Sequence, residues 1–140
     1  MNYHFLIYIL SKFMSAQRLK RRHVFLKKGR VGGRLGFELL DFLEQEGVIL
    51  MMKMLPGYVR VTLNYSGSQP AFKEYKVLYN PRVRNFYSLA MIRKLYARRG
   101  PRILFAVLTA DGIVTGQKLG PKDSGLPLFY LLRKPYKRRR

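Results

Sequence analysis

The chain has 140 residues, 48% of them hydrophobic, and carries 28 Lys and Arg against 7 Asp and Glu for a net charge of +21. That length suits one domain or two small lobes sharing an interface, and the apolar content excludes a wholly disordered basic chain. The absence of Cys excludes disulfides and thiolate metal sites and leaves the compartment unconstrained.

A compact body this basic repels itself and calls for a dense anionic partner. Nucleic acid is the natural one. An anionic membrane surface is the lesser option, because no single amphipathic helix concentrates the charge.

In chain order, residues 5 to 10 form an unbroken apolar run, followed by Phe13 and Met14. Met14-Ser15-Ala16 has the look of a secretory cleavage site. No Lys or Arg precedes the run, however, and the basic cluster follows it, which is the wrong order for a signal. The run is too short to span a membrane, and a mitochondrial presequence would be Arg-rich and amphipathic. The segment reads as a buried first helix.

Arg18 to Arg34 is the first basic block, holding Arg18, Lys20, Arg21, Arg22, Lys27, Lys28, Arg30 and Arg34, with Val24-Phe25-Leu26 as a short strand inside it. Gly29, Gly32, Gly33 and Gly36 are expected to loosen the chain. The spacing is not that of a Walker loop. Backbone N–H groups in a Gly-rich basic loop can still approach phosphate oxygens, with the cations adding charge; the plainer alternative is a solvated connector.

Phe37 to Glu46 predicts a helix, with Leu39, Leu40, Phe42 and Leu43 on one arc, Glu38, Asp41, Glu44 and Gln45 on the other, and Gly47 as its stop. Four of the seven acids fall in this helix, so its outer face should avoid nucleic acid or dock a basic protein surface. Surface acids on a helix are ordinarily a solvated face, and no His, Cys or Gly-rich element lies nearby to make them catalytic.

Val48 to Met54 is an apolar strand, Pro56-Gly57 a turn, and Tyr58 to Tyr65 an alternating strand with Val59, Val61, Leu63 and Tyr65 inward and Arg60, Thr62 and Asn64 outward. Ser66-Gly67-Ser68-Gln69-Pro70 divides an N-terminal lobe, residues 1–66, from a C-terminal lobe, residues 70–132.

The second lobe opens with a strand over Phe72 to Tyr79, broken at Asn80-Pro81, with Arg82 and Arg84 extended beyond the break. A short helix is expected over Ser88 to Arg98, stopped by Gly100-Pro101. Ile103 to Leu108 is apolar at nearly every position, which predicts a strand covered on both faces. An Ala110-Asp111-Gly112 turn follows, in which glycine supplies positive φ. After a second short strand, the Gly116 to Gly125 loop carries Lys118, Lys122 and Ser124. Leu126 to Leu132 is the last strand. Residues 133–140, six of them basic, form a tail expected to stay mobile until bound.

The fold class is therefore α+β in two small lobes: helix, strand, helix and strands, then a mostly antiparallel β lobe with a short helix. His4 and His23 have no acid close in sequence, and no nucleophile motif or metal-spaced cluster is present. The expectation is a protein with no catalytic role and no cofactor.

Four segments in order resemble the family of the eighth protein of the small ribosomal subunit. Leu43-Glu44-Gln45-Glu46-Gly47-Val48-Ile49 is similar to the family's second-helix ending, Leu-x-x-Glu-Gly-hydrophobic-Ile, and Val61-Thr62-Leu63-Asn64-Tyr65 to its Leu-Thr-Leu-Lys-Tyr strand. Tyr79-Asn80-Pro81-Arg82-Val83-Arg84 falls where the family has Ser-Arg-Pro-Gly-x-Arg. Leu108 to Thr115 resembles the signature Ser-Thr-Ser-x-Gly-hydrophobic-hydrophobic-Thr.

The resemblance covers nearly the whole chain. It implies a two-lobed α+β protein that binds a helical junction in the central domain of small-subunit ribosomal RNA, beside neighbouring small-subunit proteins. In the family the Ser-Thr-Ser turn contacts RNA bases and sugars; here Leu108 and Ala110 replace the serines and Thr109 keeps its hydroxyl. Arg82 replaces a glycine, Pro127 stands where a Glu follows the family's Gly-Gly, and Gly125 alone remains of that pair.

Such divergence, with a Tyr- and Phe-rich composition, points to an organellar member in the mitochondrial matrix, with a plastid or a bacterial cytoplasm as alternatives. The expected RNA-contacting residues are Arg18, Lys20, Arg30, Arg34, Asn80, Arg82, Arg84, Thr109, Ala110, Gly112, Lys118, Lys122, Ser124 and Gly125. The competing function is a free-standing basic nucleic-acid-binding protein, an RNA chaperone or chromatin-like factor; an RNA-processing enzyme would rest on the basic surface alone.

Overall fold

A computed structural model describes residues 4–65, 69–78, 94, 103–116, 119 and 125–133. The first helix, α1 (His4–Arg18), buries Phe5, Leu6, Ile9, Leu10 and Phe13. These positions recur at helical spacing and make one inward stripe, while Ile7, off the stripe, is 50% exposed. Its end is closed by Lys20 N–H donating to Gln17 O and Arg21 N–H to Ala16 O. Lys20 takes the left-handed conformation there, φ 55°, in a position that glycine usually fills.

The strand β1 (His23–Lys27) leads through a 3-10 turn, Lys28–Arg30, into α2 (Gly33–Gln45). The helix begins four residues before Phe37, so the Gly-rich segment is a compact corner rather than a loosened loop. The reason is steric. A Cβ on Gly32 would lie 2.4 Å from Phe5 Cγ, and one on Gly36 would lie 1.7 Å from Val31 O. Both glycines permit close packing. At the far end Gly47, φ 77°, donates to Glu44 O and Val48 N–H donates to Leu43 O, which satisfies two of the helix's terminal carbonyls.

The strands β2 (Ile49–Leu55) and β3 (Tyr58–Leu63) pair with β1 in an antiparallel sheet of order β1-β3-β2. Val24, Leu26, Val59, Val61 and Ile49 are buried, facing the side on which α1 contacts β1 and α2 contacts β2. The apolar composition of residues 48 to 54 did not mean full burial: Leu50, Met51 and Met54 are exposed. Thr62 differs in the other direction. It is buried on the outer face, in register with His23 and Met51. Tyr65, as β3 ends, donates its hydroxyl to Arg21 O, and burial pushes that hydroxyl's pKa up.

The second sheet has the order β4-β7-β5-β6 and is wholly antiparallel. It comprises β4 (Glu74–Val77), β5 (Ile103–Thr109), β6 (Gly112–Thr115) and β7 (Leu126–Leu132). As expected, β5 is covered on both faces. Leu104 and Ala106 join the core shared with both helices, while Ile103, Phe105 and Val107 pack in a second cluster with Leu78.

Two polar ties link the lobes. Buried Gln17 donates through Nε2 to Phe72 O at 3.1 Å and accepts from Phe72 N–H at 3.2 Å. Arg133, which the sequence groups with the basic tail, donates through Nη2 to Glu46 O at 2.8 Å. It is half-buried, and burial draws its pKa down against the opposing pull of Glu46. The expected helix over residues 88 to 98, apart from Lys94, and the tail beyond Arg133 lie outside the described residues. Among the described residues no helix is long and apolar enough to cross a membrane.

Candidate nucleic-acid interface

The β5–β6 hairpin closes through Ala110 and Asp111, with Thr109 and Gly112 in register. Gly112 has φ 107°, whereas Lys20 is the sole described non-glycine residue with positive φ. Ala110 and Asp111 therefore keep ordinary backbone angles, and the one special conformation falls on the glycine. The Thr109 hydroxyl fixes the turn, donating to Gly112 O at 2.9 Å and accepting from Asp111 N–H at 3.2 Å. A hydroxyl has one donor and two acceptor sites, so one acceptor site on Thr109 is left over by these bonds.

Gly125 comes alongside. A Cβ on it would lie 2.5 Å from Val107 Cγ1, 3.1 Å from Leu108 O and 3.3 Å from Thr109 Cγ2. The hairpin tip thus gathers Thr109, Ala110, Gly112 and Gly125, a patch of accessible backbone on a stiff support. Asp111 is exposed on the same turn and adds a carboxylate beside it.

Among the described residues, the expected cations at the end of α1 do not converge on that tip. Arg18 and Lys20 are exposed at the C-terminal end of α1, beside Gln17, whose partner Phe72 precedes β4. Glu74 of β4 pairs with Leu132, while Leu108 pairs with Leu126 at the other end of β7. Those six steps of strand separate the two places by about 20 Å at ~3.3 Å per residue.

Arg30 stacks its guanidinium 4.4 Å from the Tyr8 ring centre, with Lys12 5.8 Å from the same ring. The Tyr8 hydroxyl accepts from Lys27 N–H at 3.1 Å. Tyr8 and Lys12, absent from the expected contact residues, thus hold a cationic corner in place; the Arg30–Tyr8 pair joins α1 to the 3-10 turn and exists only once the two are folded together. Arg34 instead meets Glu38 at 3.3 Å, one helical turn on, a solvated pair of small energetic weight. Asn80, Arg82, Arg84, Lys118, Lys122 and Ser124 lie outside the described residues.

These features define an α+β protein whose strongly cationic surface is carried on rigid elements, with a backbone-rich hairpin tip at one end. Compared with models of protein families and with curated proteins, the chain matches none.

Proposed function

We propose that the protein is a structural, non-catalytic RNA-binding component of the small ribosomal subunit. In this reading it stabilises the central domain of the subunit's RNA during assembly and translation, in an organelle, with the mitochondrial matrix as first choice. The observation that carries it is the hairpin tip, where the retained threonine and two glycines of the ribosomal-family resemblance meet in one patch. Charge supports it: a +21 chain gains affinity for RNA by displacing counterions from phosphates. In sedimentation after gentle lysis the chain should travel with small subunits. A light soluble pool free of subunits would instead favour a free-standing nucleic-acid-binding factor.

The tip makes its own prediction. Thr109→Val removes the two turn hydrogen bonds and the spare acceptor together. It should reduce affinity for the RNA by about 1 kcal/mol and stability by a similar amount, whereas Thr109→Ser should restore both. RNA titrations with equal affinity for wild type and Thr109→Val, at a temperature where both are folded, would show that this turn does not touch RNA.

A further inference from the structure

The outer face of the first sheet is built differently from its inner face. Side chains alternate across a strand, and the register sets three rows on this face: His23–Thr62–Met51, Phe25–Arg60–Lys53 and Lys27–Tyr58–Leu55. Phe25 is 54% exposed, Tyr58 43% and Met51 49%, and Lys27 and Lys53 are also exposed. None of the three strands contains an acid. Phe25 and Tyr58 are diagonal neighbours on adjacent strands, a separation that large side chains can bridge. Arg60 lies between Phe25 and Lys53, and its Nε is buried with no hydrogen-bond partner.

We propose that this face is a second RNA-binding surface, a stacking platform for single-stranded RNA. Two unstacked bases lie on Phe25 and Tyr58, while Lys27, Lys53 and Arg60 neutralise the neighbouring phosphates. Exposed aromatic rings interleaved with cations suit a polymer that offers base faces and negative charge together. A duplex offers the phosphates but keeps its bases stacked away from the rings. A second copy of this chain would set one basic face against another. The surface belongs to the other lobe from the hairpin tip, and it stands or falls separately from the ribosomal reading.

The test is titration of the full chain with a short unstructured oligouridylate carrying one 2-aminopurine, read by anisotropy and by the emission change that follows stacking. Phe25→Ala and Tyr58→Ala should each weaken binding about fivefold or more and reduce the emission change. Lys27→Gln and Lys53→Gln should each flatten the salt dependence by about 0.7 in log–log slope. All four side chains are exposed, so thermal unfolding should stay close to wild type. Co-sedimentation with small subunits is a separate readout, so a failure of the ribosomal reading and a failure here are told apart. Unaltered affinity and emission in the Phe25→Ala/Tyr58→Ala double variant would overturn the proposal. So would a double variant that loses only a concentration-dependent self-association of the free protein, which would assign the face to a second copy.

Discussion

Replacing Gly36 by alanine should destabilise the first lobe by about 3 kcal/mol, at the upper end of what overpacking ordinarily costs. Helix propensity alone predicts the opposite sign, since alanine is favoured over glycine by about 1 kcal/mol in a helix interior. Overlap decides the contest. The added Cβ would lie 1.7 Å from Val31 O, 2.6 Å from Val31 C and 2.7 Å from Val31 Cγ1, and the first two are backbone atoms that no rotamer change can move aside.

Relief requires shifting the 3-10 turn, in which Val31 N–H donates to Lys28 O at 3.4 Å, and with it the Arg30 guanidinium stacked on Tyr8. Gly29→Ala is the matched control. Nothing lies within 4 Å of its Cβ position, so its effect should stay within about 0.5 kcal/mol. Urea unfolding of the three proteins compares them directly; equal midpoints for Gly36→Ala and wild type would mean that the close approach of α2 to the turn is not required.

Gln17→Leu should cost about 2–4 kcal/mol, because it orphans two buried backbone groups at once and each unsatisfied group costs roughly 1–3 kcal/mol. Leucine fits an apolar neighbourhood and is near in volume, so packing is nearly retained and the loss isolates the hydrogen bonds. The groups are the N–H and C=O of Phe72, itself fully buried where the chain enters the second lobe. The consequence extends to cooperativity, since α1 and the second sheet share one core and this pair ties them where the chain crosses over. Amide exchange at Phe72 should accelerate in the variant together with a fall in the urea midpoint. A midpoint within about 0.5 kcal/mol of wild type would show that water or a shifted backbone replaces the lost partners.

Among the described residues, sequence alone located the two helices and most strands and determined the class of fold, because each rests on a local signal. Helix α1 shows as an apolar run, the inward set of β3 is an alternation, and the turns at Gly47 and Gly112 are backbone conformations that glycine adopts without a Cβ penalty. The continuous apolar run of β5 correctly announced two covered faces. At the candidate interface the tip was legible for the same reason, since Thr109 and Gly112 belong to one hairpin.

Where burial departs from an element's own period, tertiary structure alone decided it, because burial depends on what packs against the element. The apolar strand β2 left Leu50, Met51 and Met54 exposed, while the polar Thr62 became buried. Gln17 and Arg133 look like surface residues until Phe72 and the Glu46 carbonyl arrive beside them. Gly32 and Gly36, which suggest looseness in the sequence, answer to Phe5 and Val31. The pairing of Phe25 with Arg60 and of Lys27 with Tyr58 is set by strand register between residues more than thirty positions apart. No local pattern encodes that distance: α1, α2 and the central β3 strand must assemble before the outer face of the first sheet exists as a surface.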